Sequence, residues 1–500
     1  MKFKNPKTEK IYEYLSGMSQ KAYSDPYLIS NDVLCKQDTR GRILETCLAG
    51  ETPQKVTFVF AVKKILFYFL KNLAAFSLYL VTALAYRLSG QTFLFPEKGE
   101  LLVLDTYLVA RQILEQGEFR DTFFPGLVGA LVRRKKNYVY VPRLFGTTNS
   151  FDWFRVFRIL KKNSDPVLTE FQLLKFADYI DTLRFIFLYP FSVRRFAKSL
   201  GTGYEDKVLR YSLWQALDSV AFGGHTRFLL GRCLSSLKIE KIKCFSWYEN
   251  QVVDKNFYRG LRAVPGKADI VGSQLFIRPS MELNIVPDDL EASFEVIPDR
   301  VLVNGSGYSF KLEHAQVDVG PALRYVHLFN LNIHPPDGKT ILALMPFKDN
   351  NTIDILKIIH EVDWPLPVEI KFHPSTDWRK YGQERLGQFS VTDKTLQELL
   401  PRARMVVGCG GALVEAAALG IPVINIQNLN SFGYDYMPEI GKGILWDQAA
   451  DAEEVAQLVS QFQGALQSDP SRLKEEGARL RSVYFSEPTD ELIGQAFGLD

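Results

Sequence analysis

Apolar and polar positions along this chain follow two periods, most plainly in its second half. From residue 340 onward, "ILALMPF", "PVEIKFHP", "RMVVGCGG" and "IPVINI" are short apolar runs, as strands buried on both faces are. Between and after them, "NTIDILKIIHEV", "TLQELLPRA", "ALVEAAALG" and "DAEEVAQLVSQFQGAL" carry apolar residues at the three-and-four spacing of one-sided helices. Strict alternation of the two predicts right-handed crossovers and a parallel sheet covered on both sides. A less regular first series starts at "GELLVLDTYLVARQILEQG", where Leu101 to Leu104 read as a strand with Asp105 at its carboxyl end. "NYVYVPRLFG", "IEKIKCFSWYENQ" and "RVLVNGSGY" read as further strands, "ADIVGSQLFIRPSMELN" as a strand and glycine loop, and residues 151–235 as mostly helical. The predicted fold class is α/β, with two Rossmann-like domains facing a cleft. The expected boundaries are an N-terminal segment 1–95, a first domain 96–330 with a helical insertion, a second domain 331–475 and a helical tail 476–500.

The N-terminal segment breaks this pattern. Between Glu51 and Glu97 there is no acidic residue, while Lys63, Lys64, Lys71 and Arg87 punctuate a run that is otherwise mostly Leu, Phe, Ala, Val and Tyr. At about 100° per residue, Lys64, Lys71 and Thr82 share one narrow stripe. Two readings stay open for 57–90: a helix lying in the plane of a membrane surface with its lysines reaching headgroups, or a helix buried against a neighbour or holding a partner. The charge-free run from Asn72 to Tyr86 is shorter than the ~20 residues that a spanning helix needs.

Composition changes this picture little. At 500 residues, 46% hydrophobic and 23% charged, the chain has the make-up of two or three folded domains. A net charge of +3 disfavours a nucleic-acid binder acting through bulk electrostatics. Cys35, Cys47, Cys233, Cys244 and Cys409 are scattered and form no CxxC pair, so neither a disulfide framework nor a structural zinc site is expected. With a polar start, "MKFKNPKTEKIYEYL", the expectation is a cytoplasmic protein, peripheral at the inner membrane if 57–90 docks there.

The candidate chemistry concentrates in "VVGCGGALVEAAALGIPVINI" (406–426). Gly408, Gly410 and Gly411, with Cys409 among them, form a strand-to-helix turn where backbone amides can meet a phosphate. Glu415, one turn into the helix, can accept hydrogen bonds from a ribose diol. The spacing matches neither the dinucleotide fingerprint nor the P-loop. A second signal is "EIKFHPSTDW": Pro374 ends a strand and holds His373 at the sheet's carboxyl edge, with Lys371, Ser375 and Thr376 nearby.

In this order and spacing, "FHP" and "GCGGALVEAAALGIPVI" resemble the nucleotide-binding C-terminal domain of GT-B glycosyltransferases. The likeness is greatest to bacterial surface-polysaccharide enzymes of the sialyl- and Kdo-transferase kind and to the glycerophosphotransferases of teichoic acid synthesis, over roughly residues 340–460. The resemblance implies a nucleotide-sugar donor as substrate, with CMP-linked sugars favoured and UDP- or GDP-linked ones open, and no cofactor or obligatory metal. The glycines in the turn depart from the serine or threonine often found there in sialyl- and Kdo-type enzymes.

Glycosyl transfer also needs a carboxylate or histidine near the anomeric carbon, which in two-domain enzymes usually comes from the first domain. "SWYENQ" offers Glu249 beside Trp247 for stacking on a sugar and Asn250 and Gln251 for its hydroxyls; Asp105 is the second catalytic candidate, with Arg120 and Asp121 in the same region. Gln274 and Arg278 can meet an anionic group, and His225, after two glycines, reads as a loop histidine. The leading expectation is a glycosyltransferase acting on a surface glycan or lipid-linked acceptor. A sugar-nucleotide 2-epimerase and a non-catalytic scaffold of a polysaccharide assembly complex are the alternatives.

Overall fold

The computed structural model describes residues 6–35, 39–51, 53–95, 99–279, 284–374, 376–382, 386–387, 389–427 and 435–500. Its strands, in chain order, are β1 (Glu100–Asp105), β2 (Tyr107–Val109), β3 (Tyr138–Tyr140), β4 (Arg143–Phe145), β5 (Lys241–Trp247), β6 (Ala268–Gln274), β7 (Arg300–Val303), β8 (Gln316–Val319), β9 (Thr340–Leu344), β10 (Val368–Lys371), β11 (Ser390–Val391), β12 (Ala403–Gly408), β13 (Val423–Ile426) and β14 (Trp446–Ala449). Two six-stranded sheets result, β3-β1-β5-β6-β7-β8 and β11-β10-β9-β12-β13-β14, with every pairing parallel. In the first, chain order reverses between β1 and β5; in the second, between β9 and β12. Open parallel sheets leave a crevice at such reversals, outside the carboxyl ends of the strands. The fold is the two-unit α/β arrangement expected from the sequence.

Alternation along β9 shows why its sequence is apolar throughout: Leu342 and Leu344 join the core shared with the rest of the molecule, while Ile341 and Ala343 join a second core on the opposite face. "NYVYVPRLFG" is one run in sequence but two short strands, broken at Pro142, which has no amide hydrogen for a ladder. β8, β11 and β14 are too short or too polar to stand out in the pattern.

The N-terminal segment is part of the first unit. Asn31 Nδ2 donates to Tyr189 Oη at 2.9 Å, and Tyr23 Oη donates to the buried Glu291 at 3.0 Å. The helix Phe58–Ser89 lies along the helical insertion, with Tyr68 donating to the Ile186 carbonyl (3.1 Å) and Asn72 bonding Ser219 and Ala221. Its Lys64 reaches Gln215 and Asp218, and Lys71 reaches the Asp218 carbonyl. This corrects the expectation that these lysines serve headgroups: their stripe faces the protein, because the insertion offers them acceptors. The chain's last helices return to the first unit, where Phe497 packs on Phe124 and Phe245 and Arg134 pairs with Asp490 and Asp500.

His225 is also placed differently from the loop reading. It lies in the helix Phe222–Ser235, its ring stacked on Phe185 (centroids 4.7 Å apart) and its Nε2 3.4 Å from Asp181. Burial lowers its pKa to about 4 against the opposing pull of Asp181. Below pH 6.5 the unfolded chain therefore takes up a proton that the folded chain refuses. The stability associated with this residue is present above pH 6.5, falls as the pH drops and levels off below about 4. Between pH 7 and pH 5 the loss is expected to be about 2 kcal/mol. Urea unfolding of the wild type and of His225→Gln at both pH values checks this, since the variant lacks that component.

Candidate active site

The carboxyl ends of the two sheets face one another across a cleft of about 430 Å³, within the range of small-molecule sites. From the first unit come Trp247 and Glu249 at the end of β5 and Phe276 and Ile277 after β6, with Arg324 and Tyr325 from the connector between β8 and β9. The second unit contributes residues 345–348 after β9, Lys371, His373 and Pro374 at the end of β10, and Cys409, Gly410, Gly411, Ala412 and Glu415 after β12. The fold thus brings together the two signals of the second unit and the first-unit carboxylate.

Glu249 is held by its neighbours. Trp247 Nε1 donates to one carboxylate oxygen and Gln251 Nε2 to the other, each at 2.8 Å. The backbone turns just beyond it through Asn250, which adopts a left-handed φ of 56°. Asn250 is fully buried, accepts from Tyr248 (2.9 Å) and Lys255 (2.7 Å), and donates to the Asn284 carbonyl (2.8 Å). It anchors the loop from beneath and does not reach a ligand, contrary to its sequence-based role. Gln251 and Trp247 likewise serve Glu249 first: the indole is 2% exposed, with Phe123 meeting it edge to face (4.9 Å) and the Arg324 guanidinium over its ring (5.4 Å), and offers no open face for a sugar.

Asp105 is withdrawn from catalysis by its surroundings. It is completely buried and accepts from Arg143 Nη2 (2.6 Å), Arg227 Nη2 (2.7 Å) and Ser246 Oγ (2.7 Å). Burial alone would raise its pKa, but the two guanidinium groups outweigh it and hold the carboxyl below the usual range. Arg143 continues to Asp254 (2.6 Å), which caps the turn by accepting from the amides of Glu249 (3.3 Å) and Gln251 (2.8 Å). The network fixes the loop that carries Glu249. Asp121 is a half-buried loop brace, accepting from Thr106 (3.0 Å) and the Phe123 amide (2.8 Å). Arg278 and Gln274 pair with each other (3.0 Å) outside the cleft lining, with Arg278 between the rings of Tyr308 and Phe310.

In the second unit the glycines divide their work. Gly408 has φ +138°, and a Cβ there would sit 2.1 Å from the Leu344 carbonyl oxygen. It permits β12 to lie against β9 and does not line the cleft. Gly410, at φ +125°, has nothing within 4 Å of an added Cβ, so this is where the turn leaves room for a ligand. The first turns of two helices, Asp349–Glu361 and Ala412–Ala418, open on the same space through Lys348 and Asn351 and through Gly411 and Ala412. Cys409 is buried and its thiol pKa is pushed up to about 11 by desolvation, so it stays protonated at neutral pH.

His373 sits against Phe347 (ring centroids 5.9 Å), and desolvation lowers its pKa, favouring a neutral imidazole until an anion arrives. Lys371 lines the cleft, but its Nζ donates to the Lys394 carbonyl at 2.5 Å. Ser375 lies outside the described residues. Glu415 Oε2 is 2.9 Å from Nε2 of His327, a close contact rather than an aligned hydrogen bond, and His327 Nδ1 is 3.4 Å from Gln397 Nε2. Glu415 thus lines the cleft while meeting a residue from outside the second sheet.

Sequence reading missed Arg324, Lys348 and His327. Lys348 and Asn351 follow β9 as His373 follows β10, so the strand-end rule that found the histidine could have found them. Arg324 and His327 lie in a connector with no regular period, and only folding brings Arg324 to the cleft and His327 to Glu415. The described residues contain no group of three or more His, Cys, Asp or Glu side chains placed to hold a metal ion.

No family model and no curated protein matches this chain. Among solved structures it is similar to Anabaena HepE in complex with UDP-glucose (TM-score 0.41, 10% identity, covering 80% of this chain and 98% of that one). It is also similar to the wall teichoic acid polymerase TagF (0.40, 9%, covering 89% and 97%) and to the Neisseria meningitidis UDP-GlcNAc 2-epimerase bound to UDP-GlcNAc (0.40, 12%, covering 80% and 98%). At these TM-scores the likenesses carry no weight for the chemistry, and the functional conclusion rests on the cleft itself.

Proposed function

We propose that this chain is a glycosyltransferase that moves a sugar from a nucleotide-activated donor to a glycan or lipid-linked acceptor. The observation that carries this is the single cleft joining Glu249 of the first unit to Gly410, His373 and Glu415 of the second. The nucleotide lies on the second unit, with its phosphate against the amides of the Gly410 turn and the imidazole of His373 and its ribose diol on Glu415. Arg324 faces it from the connector, without a salt bridge among the described residues, and offers a second cation to the leaving phosphate. Glu249 then accepts the proton of the attacking acceptor hydroxyl, its oxygens aimed by Trp247 and Gln251. The step is proposed to run without a resident metal, with the two helix N-termini and the cations sharing the developing phosphate charge.

Thermal unfolding in the presence of CMP, CDP, UDP and GDP tests the donor half. A ligand bound only by the folded chain at a hundred times its Kd adds about 2.7 kcal/mol. One nucleotide is expected to raise the melting temperature of the wild type, and His373→Ala is expected to abolish that rise while leaving the ligand-free melting temperature in place. No shift with any of the four would overturn the reading. Product analysis separates transfer from 2-epimerisation: the transferase releases nucleotide in proportion to acceptor, whereas the epimerase returns an intact nucleotide sugar.

A further inference from the structure

The helix Phe58–Ser89 leaves a second apolar face uncovered. Its polar side chains Lys64 and Asn72 turn into the protein, and its outward face is Phe58 (83% exposed), Leu66, Leu70 (71%), Val81, Leu84 and Leu88 (69%). An 18-residue window of it has a mean hydropathy of 1.6, and only 22% of that window is buried. A helix of 32 residues is about 48 Å long, so the apolar face extends well beyond a chance surface leucine. The neighbouring helix Phe176–Ser199 continues it with Phe176 (79% exposed), Ile180, Phe187 and Phe191. At about 100° per residue, Arg184, Arg194 and Lys198 fall in the same arc as these four, and all three are exposed. Lys63 and Arg87 stand on the exposed face of the first helix near its two ends. Apolar side chains interleaved with cations fit the interface of an anionic bilayer, and the partly exposed carboxylates nearby, Asp181 and Asp218, lie against His225 and Lys64.

Between the two helices runs a groove of about 360 Å³, walled by Phe76, Leu80, Leu84, Ile180 and Leu183. Two polar groups line it. Arg87 has no salt bridge among the described residues, and Tyr179, 8% exposed, has a hydroxyl with no hydrogen-bond partner. That hydroxyl is enclosed, with Glu170 and Asp178 near it, so the charge offered to a ligand is that of Arg87, and a cation beside an apolar channel suits an amphiphile with a negative head. We propose that this two-helix face docks the protein on the surface of an anionic lipid bilayer, the groove taking one lipid's acyl chain and Arg87 its phosphate. The helix lies in the membrane plane and does not span, because Tyr68, Asn72 and Tyr86 tie it to the first unit along most of its length. This inference does not rest on the donor reading.

Sedimentation of the full chain with vesicles is the test. Wild type is expected to pellet with phosphatidylcholine vesicles containing about 30 mol% phosphatidylglycerol and several-fold less with phosphatidylcholine alone. Leu84→Asp with Ile180→Asp is expected to weaken binding to the anionic vesicles by about tenfold or more. Both positions are exposed, and an unchanged circular dichroism melt shows that the fold is kept. Arg87→Glu is expected to remove most of the preference for phosphatidylglycerol while leaving the residual binding to phosphatidylcholine. The proposal is overturned if wild type stays in the supernatant with both vesicles, or if the aspartate pair pellets like wild type. It is equally overturned if the face proves to mediate self-association, seen as a concentration-dependent dimer that the aspartate pair abolishes without any vesicle binding by wild type.

Discussion

Glu249→Gln is expected to lower the transfer rate constant kcat by about 10²–10⁴-fold, the usual contribution of a positioned general base, with little change in the KM for the donor. The substitution keeps the size of the side chain and removes only its ability to take a proton. The partners proposed for the nucleotide, His373, Gly410 and Glu415, belong to the other unit, so donor affinity is expected to survive. Steady-state kinetics with donor and acceptor, together with the thermal shift of the variant, read the two effects apart. Unchanged kcat would place the base elsewhere in the cleft. A parallel loss of the nucleotide shift would mean that Glu249 binds and does not catalyse.

The second large effect is on stability. Arg143→Met is expected to cost about 3–5 kcal/mol, because it leaves buried carboxylates without their cation. Asp105 keeps Arg227 at 2.7 Å, but Asp254 loses its close ion pair, and the Trp247 carbonyl loses the Nη2 donor at 3.0 Å. Equilibrium urea unfolding measures the cost; a loss below about 1 kcal/mol would indicate a surface-like pair. A second consequence follows from what Asp254 does. It caps the amides of Glu249 and Gln251, so the variant's kcat is also expected to fall, by less than in Glu249→Gln, as the loop loses its anchor.

Both effects turn on the same lesson about Asp105 and Glu249. In sequence each is a carboxylate at the end of a first-unit strand, and nothing local separates them. Their strands are adjacent, with Asp105 opposite Ser246, yet Asp105 lies within the register of β1 and β5. Glu249 lies two residues past the end of β5, where Asn250 takes a left-handed φ and bends the chain so that its own side chain goes down and Glu249 lines the cleft. Two residues of difference at a strand end decide between a buried ion pair and a group available for chemistry.

The glycines teach the complementary point. Three of them at the mouth of a helix signalled a turn with room for a ligand, and the turn is there. Which glycine serves the ligand and which serves the sheet depends on β9, whose Leu344 carbonyl stands 2.1 Å from where a Cβ of Gly408 would be. No property of residues 406–426 contains that neighbour.

What the chain's pattern settled by itself was whatever depends on neighbours in sequence: strand and helix periods, the parallel connection of alternating elements, the strand ends where His373 and Gly410 sit, and the unusual helix Phe58–Ser89. Tertiary structure alone decided which face of that helix turns inward, that Arg143 and Arg227 neutralise Asp105, and that Arg324 of the connector lines the cleft while His327 meets Glu415. The physical reason is the same in each case. A backbone preference is fixed within a few residues, whereas the protonation, partners and exposure of a side chain are set by whatever distant segment packs against it.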